Sequence, residues 1–257
     1  MTASADPHTA SPKSARHLAF GVDPSRPERY SLRQARYAAL ADDISRWAGE
    51  AARRGQMLSV LDVGCGWGPL LRHLEAKPHF DNVVMSAADI KQAFGFRKEA
   101  YRDCFIGDLT QGYPEIPSGH YDVVVCEQVL EHLAALDSAL ATLVRLVRSG
   151  GRLAIGVPIF LPPLHLARKH LVPHLPRLLR PDDSTHQQAF SLASFRRELR
   201  KQPSLTIEGA RGFRIISGGL LRPLENYRWW WRFNRRLGEL LPAACIEAQI
   251  IARKQNV

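Results

Sequence analysis

The feature that most constrains the fold is a short apolar run that leads directly into a glycine-rich segment. Leu58 to Val63 has the length and β-branched content of a strand buried on both faces, and glycines follow at positions 64, 66 and 68. A helical apolar pattern with Leu70, Leu71 and Leu74 begins immediately afterwards. A strand, a glycine turn and a helix in this order predict an α/β sheet whose first turn lets a ligand approach the backbone.

Apolar runs and helical patterns alternate along the remaining chain. A helix is predicted from Ser31 to Arg54, and a second, with the clearest apolar stripe, is predicted to be capped by Asp137 and stopped by Gly150 and Gly151. The predicted strands are 58–63, 82–90, 101–106, 121–126, 153–157, 205–210 and 244–253. Alternating strands and helices predict a mostly parallel sheet with right-handed crossovers.

Length and composition favour a single globular domain. The chain has 257 residues, of which 45% are hydrophobic and 23% charged. Residues 1–28 have the composition of a flexible N-terminal tail, and residues 29–257 form one predicted domain with insertions near 158–185 and 212–241. The four cysteines form no C-x-x-C pair, which argues against zinc and a disulfide scaffold and fits a reducing cytoplasm. No signal peptide or membrane-spanning segment is expected.

The spacing of the glycines indicates which ligand the first turn binds. The segment Val60 to Gly68 reads D-x-G-x-G-x-G from Asp62, and Pro69 stands where a dinucleotide fingerprint needs its third glycine. This pattern resembles the first motif of class I S-adenosylmethionine-dependent methyltransferases. The resemblance implies a Rossmann-like, seven-stranded, mostly parallel sheet with helices on both faces and an antiparallel C-terminal strand, and S-adenosyl-L-methionine as cofactor.

Further motifs extend the resemblance over roughly residues 59–253. Asp89 lies near the end of the second predicted strand, where a carboxylate can accept hydrogen bonds from two ribose hydroxyls. Asp108 resembles the acid that recognises the adenine amino group, with Leu109 against the ring. Taken alone, either aspartate reads equally well as a turn or capping residue. The resemblance implies these cofactor-binding residues: Asp62, Gly64, Cys65, Gly66, Gly68, Asp89, Ile90, Asp108, Leu109 and Glu127.

Two histidines are candidate general bases. His132 belongs to a segment after the fourth strand that resembles the E-x-L-E-H-[LV] motif of the small-molecule branch of the family, and His186 begins a segment that resembles H-x-x-x-F-[ST]. Histidine has a suitable unperturbed pKa for taking a proton from a hydroxyl acceptor. A structural role, in loop hydrogen bonding for His132 and capping or packing for His186, is the competing interpretation. No metal site is expected.

The charge distribution points to an anionic partner of the C-terminal part. Residues 158–257 contain 17 Lys and Arg against 7 Asp and Glu, whereas residues 1–157 contain 18 of each, so the net charge of +10 lies entirely in the second part. One segment combines arginines with Trp229, Trp230 and Trp231. This composition suits binding of lipid headgroups, phosphates or sugars, and it suits a core helix with a basic face equally well. The predicted activity is O-methylation of a small-molecule, lipid or glycan-precursor acceptor.

Other functions stay open at this point. The protein is expected to be cytoplasmic, and peripheral contact with an anionic membrane surface is a further expectation. The alternatives are a non-catalytic scaffold that keeps the fold and, with less support, an RNA methyltransferase or an NAD-dependent oxidoreductase. The segment after the fourth strand lacks the [DNS]-P-P-[YFW] pattern of enzymes that methylate base amines, which disfavours nucleic acid as the acceptor.

Overall fold

The computed structural model describes residues 32–161, 187–215, 221, 224 and 227–256. The α-helices of this part are α1 (Ala35–Ala52), α2 (Pro69–Leu74), α3 (Leu136–Leu146), α4 (Leu192–Arg200) and α5 (Arg228–Leu240). The predicted tail at 1–28 and residues 162–185 of the first predicted insertion lie outside the described residues. None of the described helices combines the length and the hydropathy needed to cross a bilayer.

Seven strands of the described part of the chain form one sheet. They are β1 (Leu58–Val63), β2 (Val83–Asp89), β3 (Cys104–Ile106), β4 (Tyr121–Glu127), β5 (Val147–Pro158), β6 (Leu205–Phe213) and β7 (Glu247–Lys254). Their spatial order is β3-β2-β1-β4-β5-β7-β6. The first five strands pair in parallel, and β7 runs antiparallel to both β5 and β6. The predicted fold class is therefore confirmed.

Apolar side chains of β1 and β4 point to both faces of the sheet, because helices cover both. Val60 and Val123 pack with α1 and α2 on one face. Leu61 and Val124 pack with α3 and α4 on the other. β1 and β4 lie side by side while their crossovers lead to opposite sides, so the sheet has its topological switch point between their carboxyl ends. A ligand site is expected there.

The ends of α3 differ from the prediction. Ala135, and not Asp137, is the N-cap residue, and Asp137 lies in the first turn, where its charge still suits the helix dipole. The helix ends at Leu146, before Gly150 and Gly151, which lie inside β5. The pairing of β4 with β5 shifts there, from Tyr121 with Val147 to Val123 with Arg152, so the glycines belong to an irregular strand segment.

The observed bounds of β3, β6 and the second predicted insertion also differ from the prediction. β3 begins at Cys104 and not at Tyr101, and β6 continues to Phe213, three residues past its predicted end. The aromatic and arginine-rich segment within the predicted insertion at 212–241 is the helix α5. This helix packs beside β6, where Phe213 clusters with Ala35 and Ala39 of α1 and with Trp231.

Candidate functional site

The glycine-rich loop joins β1 to α2 beside the switch point. Gly64, Gly66 and Gly68 have φ angles of 73°, 53° and 81°, which L residues rarely adopt. A Cβ on Gly64 would lie 2.1 Å from Val129 Cγ2, so the loop packs directly against the segment after β4. A Cβ on Gly66 would meet no atom within 4 Å. The backbone at Gly66 therefore faces open space that a ligand can enter.

Asp89 connects this loop to the end of β2. It is the last residue of the strand, and its Oδ2 accepts a hydrogen bond of 2.8 Å from the Gly66 amide. Its Oδ1 lies 3.5 Å from the amide nitrogen of Lys91. Oδ2 thus orients the glycine loop, whereas Oδ1 makes only this long contact with the residues that the structure describes.

An open cleft extends from Asp89 between the ends of β2 and β3. Ile106, on its wall, is 60% exposed, and Ile90, directly after Asp89, is 66% exposed. These apolar surfaces suit a planar ring. Burial, followed by the nearby Asp62 and Asp89, raises the pKa of the Cys65 thiol far above its ordinary value, so this side chain is a neutral thiol at the cleft wall. The cleft is lined by Cys65, Gly66, Ala87, Asp89, Lys91, Gln92, Phe96, Cys104, Phe105 and Ile106.

Asp108 and Leu109 follow β3 near this cleft. Asp108 Oδ1 accepts two hydrogen bonds of 2.8 Å, from the amide and the hydroxyl of Thr110, and so caps the short 3-10 helix Leu109–Gln111. Leu109 is buried in the core beneath α3. The structure thus gives Asp108 the capping role that the sequence left open, and its predicted adenine contact, like that of Leu109, stays a prediction.

Two buried carboxyl groups lie behind the glycine loop. Asp62 is 2% exposed, and its Oδ2 has no hydrogen-bond partner among the described residues. Burial, then Glu127 and Asp89, raises the pKa of Asp62 to about 8. Burial raises the pKa of Glu127 to about 7, against the opposing effect of Arg36. A positively charged ligand beside Asp62 and Glu127 would stabilise their ionised forms, because an opposite charge lowers the pKa of a carboxyl group.

Sequence reasoning missed Arg36, which links α1 to this acidic group. Its Nε lies 3.3 Å from Glu127 Oε2, and its Nη1 lies 3.0 Å from Glu247 Oε2. Gln249 Nε2 donates a 2.7 Å hydrogen bond to Glu127 Oε1. The only sequence signal was an arginine within the apolar stretch 35–41, because its partner Glu247 lies 211 residues away in the sequence.

The segment after β4 carries the predicted base His132. Its Nε2 lies 3.8 Å from Glu131 Oε1, and its side chain is 40% exposed, whereas that of Glu131 is 2% exposed. Burial raises the pKa of Glu131 to about 7, and no residue in the described part of the chain hydrogen-bonds its Oε2. The other predicted base, His186, lies outside the described residues. Within the described part of the chain, no group of three or more His, Cys, Asp or Glu could hold a metal ion.

These features define a class of protein: a Rossmann-like α/β domain with a glycine loop beside its switch point and an open, partly apolar cleft next to that loop. The profile of one protein family, described as a methyltransferase domain, matches residues 32–202. The chain belongs to this family, and the predicted class I S-adenosylmethionine-dependent methyltransferase family is confirmed. Helix α5 and strand β7 lie beyond the matched residues.

A curated relative covers a smaller part of the chain. The ubiquinone biosynthesis O-methyltransferase of Pseudomonas savastanoi pv. phaseolicola is 29% identical over 99 residues, which are 36% of this chain and 41% of that protein. A second, from Pseudomonas syringae pv. syringae, matches to the same extent. The match thus spans less than half the length of these relatives.

Solved structures agree with the fold. A Burkholderia thailandensis 1,6-didemethyltoxoflavin-N1-methyltransferase, solved with S-adenosylhomocysteine, has a TM-score of 0.52 at 15% identity and covers 86% of this chain and 79% of its own. The cyclase SpnF has a TM-score of 0.53 at 17% identity, covering 95% and 88%. Because one neighbour is a methyltransferase and the other a cyclase, the likeness identifies the fold alone.

Proposed function

We propose that the protein binds S-adenosyl-L-methionine at the glycine loop and transfers its methyl group to an oxygen atom of a small-molecule, lipid or glycan-precursor acceptor. The observation that carries this proposal is the pairing of Asp89 with Gly66 beside an open cleft. When bound, this cofactor supplies an activated methyl group on a positively charged sulfur. The protein then has to hold two molecules in line and exclude water.

The described residues fit this cofactor. Asp89, with one carboxylate oxygen nearly unengaged, is assigned to the ribose hydroxyls, and the exposed faces of Ile90 and Ile106 are assigned to the adenine ring. The buried carboxyls of Asp62 and Glu127 are assigned to the positive end of the ligand. The open space at Gly66 admits a ligand to the backbone, and Gly64, Cys65 and Gly68 shape the same turn. Asp108 and Leu109 remain proposed adenine contacts.

An oxygen acceptor would give up a proton during methyl transfer. His132 is proposed to take it, because half-exposure leaves the ring accessible and Glu131 Oε1 lies 3.8 Å from its Nε2. A carboxylate at this position would stabilise the imidazolium that forms. His186 is the second proposed base.

The acceptor class is inferred from the curated relative and from the C-terminal part of the chain. The relative's name places it among O-methyltransferases of ubiquinone biosynthesis, which supports oxygen as the methylated atom. Exposed aromatic and cationic side chains in the C-terminal part support an amphipathic acceptor and peripheral contact with an anionic membrane surface. The alternative is a non-catalytic or differently reacting protein on the same fold, for which the cyclase neighbour is the precedent.

Calorimetry followed by a transfer assay tests the proposal. S-adenosylmethionine and S-adenosylhomocysteine are expected to bind saturably, whereas NAD is not, because Pro69 interrupts the dinucleotide spacing. Tritium from methyl-labelled S-adenosylmethionine should then appear in a phenolic lipid or a lipid-linked sugar, and less with His132→Gln. Binding of NAD alone would overturn the cofactor assignment. Cofactor binding without transfer to any acceptor class would favour the non-catalytic alternative.

A further inference from the structure

Helix α5 exposes a face that is half apolar and half cationic. Trp229, Phe233 and Leu240 are 58%, 42% and 75% exposed. Arg232 and Arg236 are also exposed and lie one turn apart beside them. Together these five residues form what we call the α5 outer face. Large apolar side chains grouped on one exposed helix face mark interaction sites in soluble proteins.

The opposite side of α5 is packed tightly on the sheet. Trp230, Asn234 and Gly238, spaced four residues apart, are buried. A Cβ on Gly238 would lie 2.0 Å from the carbonyl oxygen of Gly212, which shows how closely the helix approaches β6. The α5 outer face is therefore the exposed side of a firmly docked helix.

We infer that the α5 outer face is a docking surface for the headgroup region of an anionic lipid bilayer. The inference rests on the proposed membrane contact and is independent of methyl transfer. Tryptophan and phenylalanine beside arginine suit this region, because the rings enter the boundary of the acyl chains while the guanidinium groups pair with lipid phosphates. Glu239 is the one acidic residue of α5, and it pairs with Arg235 at 3.2 Å.

Two features favour a bilayer over other partners. Leu241 and Ile246, which follow the helix, are 53% and 41% exposed and would add aliphatic contacts that nucleic acid does not use. A second copy of the chain would bring another arginine-rich face against this one, and like charges across an interface are unfavourable. An anionic, partly apolar surface complements both halves of the face.

The location of α5 relates this surface to the proposed catalytic edge. Trp231 of α5 packs on Phe213, Ala35 and Ala39, and Phe213 pairs in register with Glu247 at the end of β7. Arg36, next to Ala35, contacts both Glu247 and Glu127. Docking through α5 would therefore hold the carboxyl edge of the sheet, where the acceptor must enter, close to the lipid surface.

Vesicle flotation of the full chain tests the inference. Phosphatidylcholine vesicles containing phosphatidylglycerol are expected to bind the wild-type protein at least about tenfold more tightly than phosphatidylcholine alone. Arg232→Glu with Arg236→Glu should abolish this preference. Trp229→Ser with Phe233→Ser should remove the binding that survives about 1 M salt, where the Debye length is about 3 Å.

A matched control separates a local surface from general charge. Arg197→Glu with Arg200→Glu makes the same charge change on exposed positions of α4 and should leave vesicle binding within about twofold of wild type. The affinity of every variant for S-adenosylhomocysteine is measured by calorimetry and should equal that of the wild type. A loss of vesicle binding is then distinct from a failure of the proposed methyltransferase activity. No vesicle binding by the wild type, equal losses in the α4 control, or α5-dependent binding of RNA instead of vesicles would each overturn the inference.

Discussion

The Gly66 amide and the Asp89 carboxylate are joined by a hydrogen bond of 2.8 Å. One carboxylate therefore shapes the glycine loop and lines the cleft. The fold places the end of β2 against the end of β1, so this contact follows directly from parallel pairing of the two strands.

Replacing Asp89 by alanine should weaken S-adenosylhomocysteine binding at least about tenfold. The change removes a charged acceptor whose hydrogen bonds typically contribute about 1.5–3 kcal/mol each. Asp81→Ala, at an exposed acid before β2, should leave affinity unchanged. Calorimetry at equal folded fraction gives the comparison, and equal affinities of the two variants would contradict the assignment of Asp89.

Asp62 should make the free energy of unfolding depend on pH. Burial, then Glu127 and Asp89, raises its folded-state pKa from 3.8 to about 8. Below pH 3.8 both states are protonated and the contribution is intact, but as the pH rises toward 8 the unfolded chain ionises first and stability falls. The free energy of unfolding of Asp62→Asn should fall less steeply with pH, so its advantage over the wild type should be largest near pH 8. Urea unfolding of the wild type and of Asp62→Asn from below pH 3.8 to pH 8 measures this free energy. Parallel pH curves for the two proteins would be inconsistent with a raised pKa of Asp62.

Replacing Arg36 by methionine should lower the free energy of unfolding by about 3–5 kcal/mol, because it removes the cation that pairs with Glu127 and Glu247. Adding Glu127→Gln to this variant should recover part of the loss. Arg53→Met, at the exposed end of α1, should change stability by less than about 0.5 kcal/mol. Urea unfolding compares all three, and no recovery in the double variant would show that the ion pair is not the cause.

Gly238→Ala should destabilise the protein, although alanine normally favours a helix by about 1 kcal/mol. The new methyl group would lie 2.0 Å from the Gly212 carbonyl oxygen, a backbone atom that cannot move alone, so a cost of about 1–3 kcal/mol is expected. Gly49→Ala in α1 is the control, since the atoms nearest to its Cβ would be those of the His79 ring, 2.9 Å away on an exposed side chain. A higher melting temperature for Gly238→Ala than for Gly49→Ala would refute the close approach.

The central strands could be predicted because their residues carry a local signal. β1 lies at the predicted residues 58–63, and Asp89 ends β2 one residue before the predicted boundary. Buried parallel strands are continuous apolar runs, and the glycine turn between β1 and α2 needs a φ sign that few other residues adopt. Such features are readable without knowledge of the tertiary contacts.

The rest depends on contacts between distant segments. Gly150 and Gly151 are typical of the end of a helix, yet they lie within β5, which pairs with β4. The hydrogen bonds of this pairing join distant segments, so the local sequence pattern does not predict them. The role of Arg36 could not be predicted, because its ion pair with Glu247 forms only once β7 has joined the sheet. In α5, the three consecutive tryptophans look equivalent in the sequence, whereas Trp230 is 7% and Trp229 58% exposed once the helix docks.

The position of β7 between β5 and β6 has a consequence for synthesis on the ribosome. Among the described residues β6 pairs only with β7, which is translated later, so both β6 and the outer edge of β5 lack this pairing partner until β7 emerges. Until residue 254 has left the exit tunnel, those strand edges are open to other chains, which makes the nascent protein vulnerable to aggregation. The first four strands can assemble during translation, whereas the edge that carries Glu247 and Gln249 is completed only once β7 has emerged.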